Sequence, residues 1–391
     1  MHTLPRLLPL ILVIGTQLLE PMAQSTDSSV SSSHAYLAQQ ALKDIGDRAA
    51  PISGVDDGCV RYSKTCDWMG KFPGKTKLVH MNIPGTHDTA TWNYSDATQA
   101  SLIRYTGPIP PARMYRCQEH SILQSLNEGI RMFDLRVAYN PGNDTLGFHH
   151  SQALLAPTTR VEDVFFALYK WLDSHPTEAI LASIKYEGGS GTPEDSAFYE
   201  KLYNVLNSPL AQKYWVQTNG TLGTLGEARG KLTLLRRFSW DKLPVGLEKR
   251  FDIPLTPDVW TDNGKNIELV YNAPLKQVAY IEDFYDASAD IAKGSGTAAY
   301  IDAKFNATTA HLTQAATKNP DQLYINFASA AYISDTPEMT PQIFALGVDT
   351  TQGMNQRLLP WLQSHKGQRF GIILLDFYDA VPNLVEAVIG L

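Results

Sequence analysis

A chain of 391 residues with 43% hydrophobic content can build one large core or two modest ones. Its 33 basic and 40 acidic residues give a net charge of −7. With no basic stripe or Lys/Arg run, that balance excludes a nucleic-acid partner and attraction to anionic lipid through bulk charge.

The chain opens on "MHTLPRLLPLILVIGTQLLEPMAQS". Arg6 gives a positive start, Leu7 to Leu19 an apolar centre, and Ala23 a cleavage position, so 1–23 reads as a secretory signal peptide. The apolar centre is too short for a membrane span, which needs roughly 20 residues. A Ser-rich stretch, "STDSSVSSSH", follows, and 24–50 reads as a flexible linker. From Pro51 the composition is globular to the end, without internal repeats, so 51–391 is expected to be one domain. Export implies a secreted, extracellular product. It makes the sequons at Asn93, Asn143, Asn219 and Asn306 candidates for glycosylation. Of three cysteines, Cys59 and Cys66 are near in sequence and can pair, leaving Cys117; pairing of Cys117 with either is the alternative.

Runs with strand character appear at Lys77–Ile83, Arg131–Tyr139, Thr145–His150, Ile180–Tyr186, Lys231–Phe238, Gln277–Glu282, Leu323–Phe327 and Gly371–Phe377. Helical patterns fall between several of them: "EHSILQSLNEGI", "VEDVFFALYKWLDSH" and "TQGMNQRLLPWLQSH". Strands alternating with helices predict a parallel sheet, and about eight strands predict closure into an α/β barrel of the TIM type. The short gap between the second and third runs leaves no room for a helix, so the barrel is expected to be irregular.

In such barrels the chemistry sits at the C-terminal strand ends. "KLVHMNIPGTHD" ends in His87 and Asp88, with Pro84-Gly85 read as the break that ends the strand. "RMFDLRV" sets Asp134 and Arg136 in an apolar strand, and "TLGFHHS" ends in His149 and His150. "ILASIKYE" carries Lys185, "KLTLLRRF" Arg236 and Arg237, "VAYIEDFY" Asp283 and Tyr285, and "GIILLDFYD" Asp376. Any one of these could be a paired structural ion. Burying so many charges is costly unless they pair or meet a charged ligand. Arg136, Lys185 and Arg237 around one cavity ask for an anion, and phosphate fits a guanidinium fork. Zinc would want three or four His, Cys or carboxylate ligands, and a dication beside Arg136 and Lys185 would be repelled. No Gly-X-Ser-X-Gly elbow is visible.

"IPGTHDTATW", "MFDLRV" and "GFHHS", in that order, resemble the X-region of bacterial-type phosphatidylinositol-specific phospholipase C. "SIKYE", "ARGKLTLLRRFS", "IEDFY", "LYINFAS" and "LLDFYD" continue it, from Thr76 to Asp379. The resemblance implies that family's irregular TIM-type barrel and its reaction. In that reaction the inositol 2-hydroxyl attacks phosphorus, diacylglycerol leaves, and a 1,2-cyclic inositol phosphate remains. On this resemblance His87 is the general base and Asp376 the carboxylate that orients it. His150 is the general acid with Asp88 as its partner, and Arg136 binds the phosphate. Lys185, Arg237 and Asp283 hold inositol hydroxyls, and Tyr285 stacks on the ring. The chemistry needs these types: histidine titrates near neutrality, and a carboxylate fixes its tautomer.

The resemblance implies no cofactor, no metal and no calcium requirement, because Arg136 stands where calcium-dependent relatives use the ion. It implies peripheral contact with phospholipid at a membrane surface, no protein partner and a monomer. Val137 after Arg136 and Ser151 after His150 replace glycines of the bacterial pattern, and both are expected to tighten the space near the phosphate. The segment from Asn93 to Gln118, beside Trp92, reads either as a lipid-inserting rim or as an ordinary Pro-rich loop. The alternatives are a metal-dependent glycerophosphodiester or lysophospholipid phosphodiesterase on the same barrel, and a non-catalytic lipid-binding relative.

Overall fold

The computed structural model describes residues 25–391 apart from 219, 248–250, 293 and 333–337. The expected signal peptide and the Asn219 sequon lie outside the described residues. Two compact units divide the chain, Met1–Asp44 and Ile45–Leu391. The stretch read as a flexible linker is instead helical, within a helix spanning Ser25–Ser53. The serines that suggested a linker occupy only its beginning. The continuation "AYLAQQALKDIGDRAA" is rich in strong helix formers.

Thirteen strands are formed by the described residues: β1 Ile83–Thr86, β2 Met132–Tyr139, β3 Leu146–His150, β4 Ala153–Leu154, β5 Ile180–Tyr186, β6 Leu232–Arg237, β7 Ile253–Pro254, β8 Ile267–Asn272, β9 Gln277–Glu282, β10 Leu323–Phe327, β11 Gly347–Val348, β12 Thr351–Gln352 and β13 Ile372–Leu375. The main sheet runs β7-β6-β5-β2-β1-β13-β10-β9-β8. Every neighbouring pair is parallel except β8 with β9. Pairing of the first strand with the last, β1 with β13, closes one side, and no ladder joins β7 to β8 among the described residues. The result is an irregular, nearly closed α/β barrel of the TIM type.

Helices Val161–Ser174, Ser196–Asn207, Thr297–Thr317 and Met354–Ser364 lie between the strands. Val161–Ser174 buries Val164, Phe165, Leu168, Trp171 and Leu172. These apolar positions recur at helical spacing, so one face packs on the sheet. No helix among the described residues is long and apolar enough to cross a membrane.

Three expectations change. The strand read as Lys77–Ile83 is displaced: Leu78–His80 is a 3-10 turn and the strand begins at Ile83. Pro84 and Gly85 therefore lie inside β1 rather than ending it. Glycine is needed there because a Cβ on Gly85 would stand 2.8 Å from the Met132 Cβ of the adjoining strand. Second, Thr145–His150 is not a barrel wall. β3 folds back antiparallel on β2 as a hairpin, which is why no helix precedes it. Third, Val137 is fully buried in the core, on the face of β2 opposite Arg136, so it does not narrow the space near Arg136.

Candidate active site

Strand register gathers the site. In β2, β5 and β6, Arg136 pairs with Lys185 and Lys185 with Arg237, so three cations stand in a row on one face. Three like charges on adjacent strands repel, and carboxylates interleave them. Asp134 accepts from Arg136 Nε and Arg237 NH1, each at 3.1 Å. Glu187 lies 3.6 Å from Lys185 and 3.8 Å from Arg136. Asp283 stands 3.7 Å from Arg237 and accepts from Trp260 Nε1 at 2.8 Å. The Trp260 ring covers the Arg237 guanidinium at 3.9 Å.

Thr86 pairs with Leu375, so the residues that follow, His87 and Asp376, emerge side by side. His87 Nδ1 lies 3.0 Å from Asp376 Oδ1, while Arg136 NH2 donates to His87 Nε2 at 2.8 Å. A guanidinium can only donate. His87 Nε2 therefore carries a lone pair, and the ring proton is on Nδ1 facing Asp376. His150 Nδ1 donates to the Tyr115 carbonyl at 2.7 Å, which leaves its Nε2 3.2 Å from Asp88 Oδ2. The same Asp88 oxygen is 3.0 Å from Arg136 NH1 and 3.2 Å from His87 Nε2. Two imidazoles and one guanidinium thus converge on one carboxylate oxygen. The side chains of His87, Arg136 and His150 keep 13–14% exposure, so the cluster meets solvent at one side only.

Backbone strain marks these positions. Asp88, Ser151 and Phe377, at or beside His87, His150 and Asp376, all have left-handed φ, 40°, 49° and 45°. The Ser151 substitution noted in the sequence therefore sits where glycine would be unstrained. Gln118 holds the turn by donating to the carbonyls of His87 (2.7 Å) and Leu375 (2.9 Å).

Burial, and after it Arg136, pushes His87 well below the ordinary histidine range and His150 down to about 4. Burial pushes Asp88 and Asp376 well above the carboxylate range. For Asp134 burial acts the same way, but Arg136 and Arg237 overcome it and hold the carboxyl below its usual range. Burial lowers Lys185, and Arg136 adds to it. With neither His–Asp pair favouring charge separation, Arg136 is left to face an incoming anion.

Every residue singled out at the strand ends is placed. His87, Asp88, Arg136, His150 and Asp376 form one cluster, with Lys185, Arg237 and Asp283 along the adjoining strands. Tyr285 is 40% exposed and bonded to Asp262 at 3.0 Å, at the rim. Arg236 turns away and pairs with Asp252. His149 is buried with Nε2 on the Tyr139 carbonyl at 3.0 Å, and burial lowers it to about 4. Asn93, Asn143 and Asn306 are exposed. Cys59 and Cys66 are bonded to each other, and Cys117 is a free buried thiol 4.0 Å from His150 Nδ1. Trp92 is tethered by Nε1 to the Ile52 carbonyl at 2.8 Å, so the exposed apolar side chains of this region are Ile103 and Tyr105 on helix Asp96–Thr106.

Sequence reasoning passed over Glu187, Trp260, Gln118 and Tyr115. Glu187 had a readable signal, two positions after Lys185 on the same strand edge. The others act from loops, where no periodicity points inward.

No family model matches the chain. A 1-phosphatidylinositol phosphodiesterase of Listeria monocytogenes is 26% identical over 344 residues, covering 88% of this chain and 91% of that protein. One from Staphylococcus aureus is 24% identical over 270 residues, 68% of this chain and 75% of that protein. Among solved structures, phosphatidylinositol-specific phospholipase C from Staphylococcus aureus (the F249X mutant) aligns with a TM-score of 0.63 at 20% identity. It covers 84% of this chain and 98% of that one. The Listeria monocytogenes enzyme aligns with a TM-score of 0.57 at 22% identity, over 82% and 98%.

Proposed function

The chain belongs to the family of bacterial phosphatidylinositol-specific phospholipases C, and from that premise we propose that it is a secreted phospholipase C working without a metal. Its substrate is phosphatidylinositol or the inositol phospholipid of a GPI anchor, met at a membrane surface. The products are diacylglycerol and inositol 1,2-cyclic phosphate. The observation that supports this reading most is the pair of imidazoles flanking one guanidinium, His87 backed by Asp376 on Nδ1 and His150 facing Asp88 with Nε2.

His87 acts as the base. Its Nε2 lone pair accepts the 2-hydroxyl proton while Asp376 supports the growing positive charge through Nδ1. Arg136 holds the phosphate oxygens, releasing Nε2 as it does so. The oxygen so freed attacks phosphorus in line, aided by its position on the same ring. His150 gives its Nε2 proton to the departing diacylglycerol oxygen, with Asp88 as partner. A phosphodiester lying on Arg136 neutralises one cause of the low His150 value, so bound substrate raises His150 toward protonation. Lys185, Glu187, Arg237 and Asp283 offer donors and acceptors to the remaining hydroxyls, and Tyr285 offers a ring at the rim. The signal peptide at 1–23 and the sequons at Asn93, Asn143, Asn219 and Asn306 belong to the same proposal.

Phosphorus NMR of products from phosphatidylinositol in excess EGTA tests it. A five-membered cyclic phosphate resonance is expected. Loss of turnover in the chelator would favour a metal-dependent phosphodiesterase instead.

A further inference from the structure

At the opposite end of the barrel, before β2 and β5, a second group of reactive side chains takes no part in the proposed reaction. His175 stacks on Trp171 at 4.0 Å and 10°, and its Nδ1 donates to the Trp171 carbonyl at 2.8 Å. A carbonyl only accepts, so Nδ1 carries a proton, and in the neutral ring Nε2 carries the lone pair. That lone pair faces two sulfurs, Cys59 Sγ at 3.4 Å and Cys66 Sγ at 3.9 Å. A disulfide sulfur has no proton to offer it. The three atoms lie within 4.8 Å of one another.

We propose that Cys59, Cys66 and His175 form a zinc site whenever the Cys59–Cys66 bond is reduced. Zinc bonds of about 2.3 Å to sulfur and 2.0–2.1 Å to imidazole, at tetrahedral angles, put nitrogen and sulfur roughly 3.5 Å apart. The two observed separations bracket that value. A metal-bound imidazole typically gives its other N–H to a backbone carbonyl, which is the Trp171 contact already in place. Cys59 is exposed, so a reductant can reach the bond.

The chemistry balances. A dithiol supplies two electrons and two protons, the Cys59–Cys66 bond breaks into two thiols, and the dithiol leaves as its own disulfide. Zinc then displaces both thiol protons to solvent. One loop is thereby closed by a covalent bond in an oxidising setting and by a metal in a reducing one. The proposal goes beyond the phospholipase reading and does not depend on it.

Cobalt(II) titration of the full chain tests it, once after dithiol reduction and anaerobic removal of the dithiol, once in the oxidised state. Reduction is expected to give one cobalt per chain with a thiolate-to-cobalt charge-transfer band, displaced by zinc and lacking in the oxidised protein. His175→Ala should weaken cobalt binding at least about tenfold. No thiolate band in the reduced, unmodified chain overturns the proposal, and this needs no variant to fold. So does a band unaltered by His175→Ala, or one kept in Cys59→Ser and lost in Cys117→Ser.

Discussion

Two buried clusters of charge, one at each end of the barrel, differ in how fully they are bonded. Below β2 and β5, Arg131 and Glu178 are both fully buried and paired at 2.7 Å. Arg131 also donates to the carbonyls of Leu126, Ile130 and Cys66. Glu178 also accepts from Met69 N, Gly70 N and Thr177 Oγ1. At the mouth, Asp88 Oδ2 and Glu187 Oε2 meet their cations as ion pairs without an aligned hydrogen bond, and Asp376 Oδ2 is buried with no hydrogen-bond partner among the described residues. A saturated ion pair holds strands together. An unsaturated one keeps acceptors for a ligand and stores the cost of their burial.

The largest effect expected from this contrast is on folding. Glu178→Gln leaves Arg131 buried without its counter-charge, and should cost about 3–5 kcal/mol of unfolding free energy, read by denaturant titration. Turnover per folded molecule should change little. A stable Glu178→Gln with poor turnover would reverse the division between the two ends.

At the mouth the expected loss is in turnover. Arg136→Lys keeps a charge but loses the fork that reaches His87, Asp88 and Asp134. kcat/KM should fall at least about a hundredfold, on the scale of an electrostatic stabiliser, with the melting temperature within a few degrees of the parent. Near-parent kcat/KM would remove Arg136 from the site.

A smaller effect appears in the pH profiles. Free enzyme holds His150 at about 4, so kcat/KM should fall as pH rises above that value. Bound phosphodiester raises His150, so the descending limb of kcat should lie at higher pH, by about one unit or more. Coincident limbs would mean that substrate does not touch the His150 electrostatics.

A last effect concerns His311, on helix Thr297–Thr317 against Asn326 of β10, where burial and then Lys304 lower it to about 3. A histidine depressed on folding binds fewer protons folded than unfolded. Its contribution is whole above about pH 6.5 and is lost as pH falls toward 3, by at most about 1.4 kcal/mol per pH unit. His311→Asn should flatten the acid slope of stability between pH 6.5 and 4.5. An unchanged slope would put the sensitivity elsewhere, His149 included.

Much of this was legible because it is local. The alternation of apolar runs and helical patterns indicates the barrel, "THD", "HH" and "LLD" put charge where strands end, and "DLR" puts it within a strand. What was not legible depends on pairing across the sheet. Direction is one case: nothing in "TLGFHH" says that β3 runs back along β2. Pro84-Gly85 is another, since the need for glycine comes from Met132, 47 residues later, and not from a turn. Val137 looked like an obstacle beside Arg136 only because neighbours in sequence were read as neighbours in space. Of the carboxylates that balance the three cations, Asp134 lies on β2 two positions before Arg136, and Glu187 follows directly on the end of β5. Their roles follow from register alone.

The central claim is that the two His–Asp pairs divide the work, His87 with Asp376 as base and His150 with Asp88 as acid. An aryl inositol phosphate, whose phenol departs without a proton, separates them. His87→Ala should abolish cleavage of aryl substrate and phosphatidylinositol alike, because neither can be attacked without the base. His150→Ala should lose far less on the aryl substrate, so the ratio of aryl to phosphatidylinositol activity rises in His150→Ala and not in His87→Ala. Equal losses on both substrates in both variants would contradict the division.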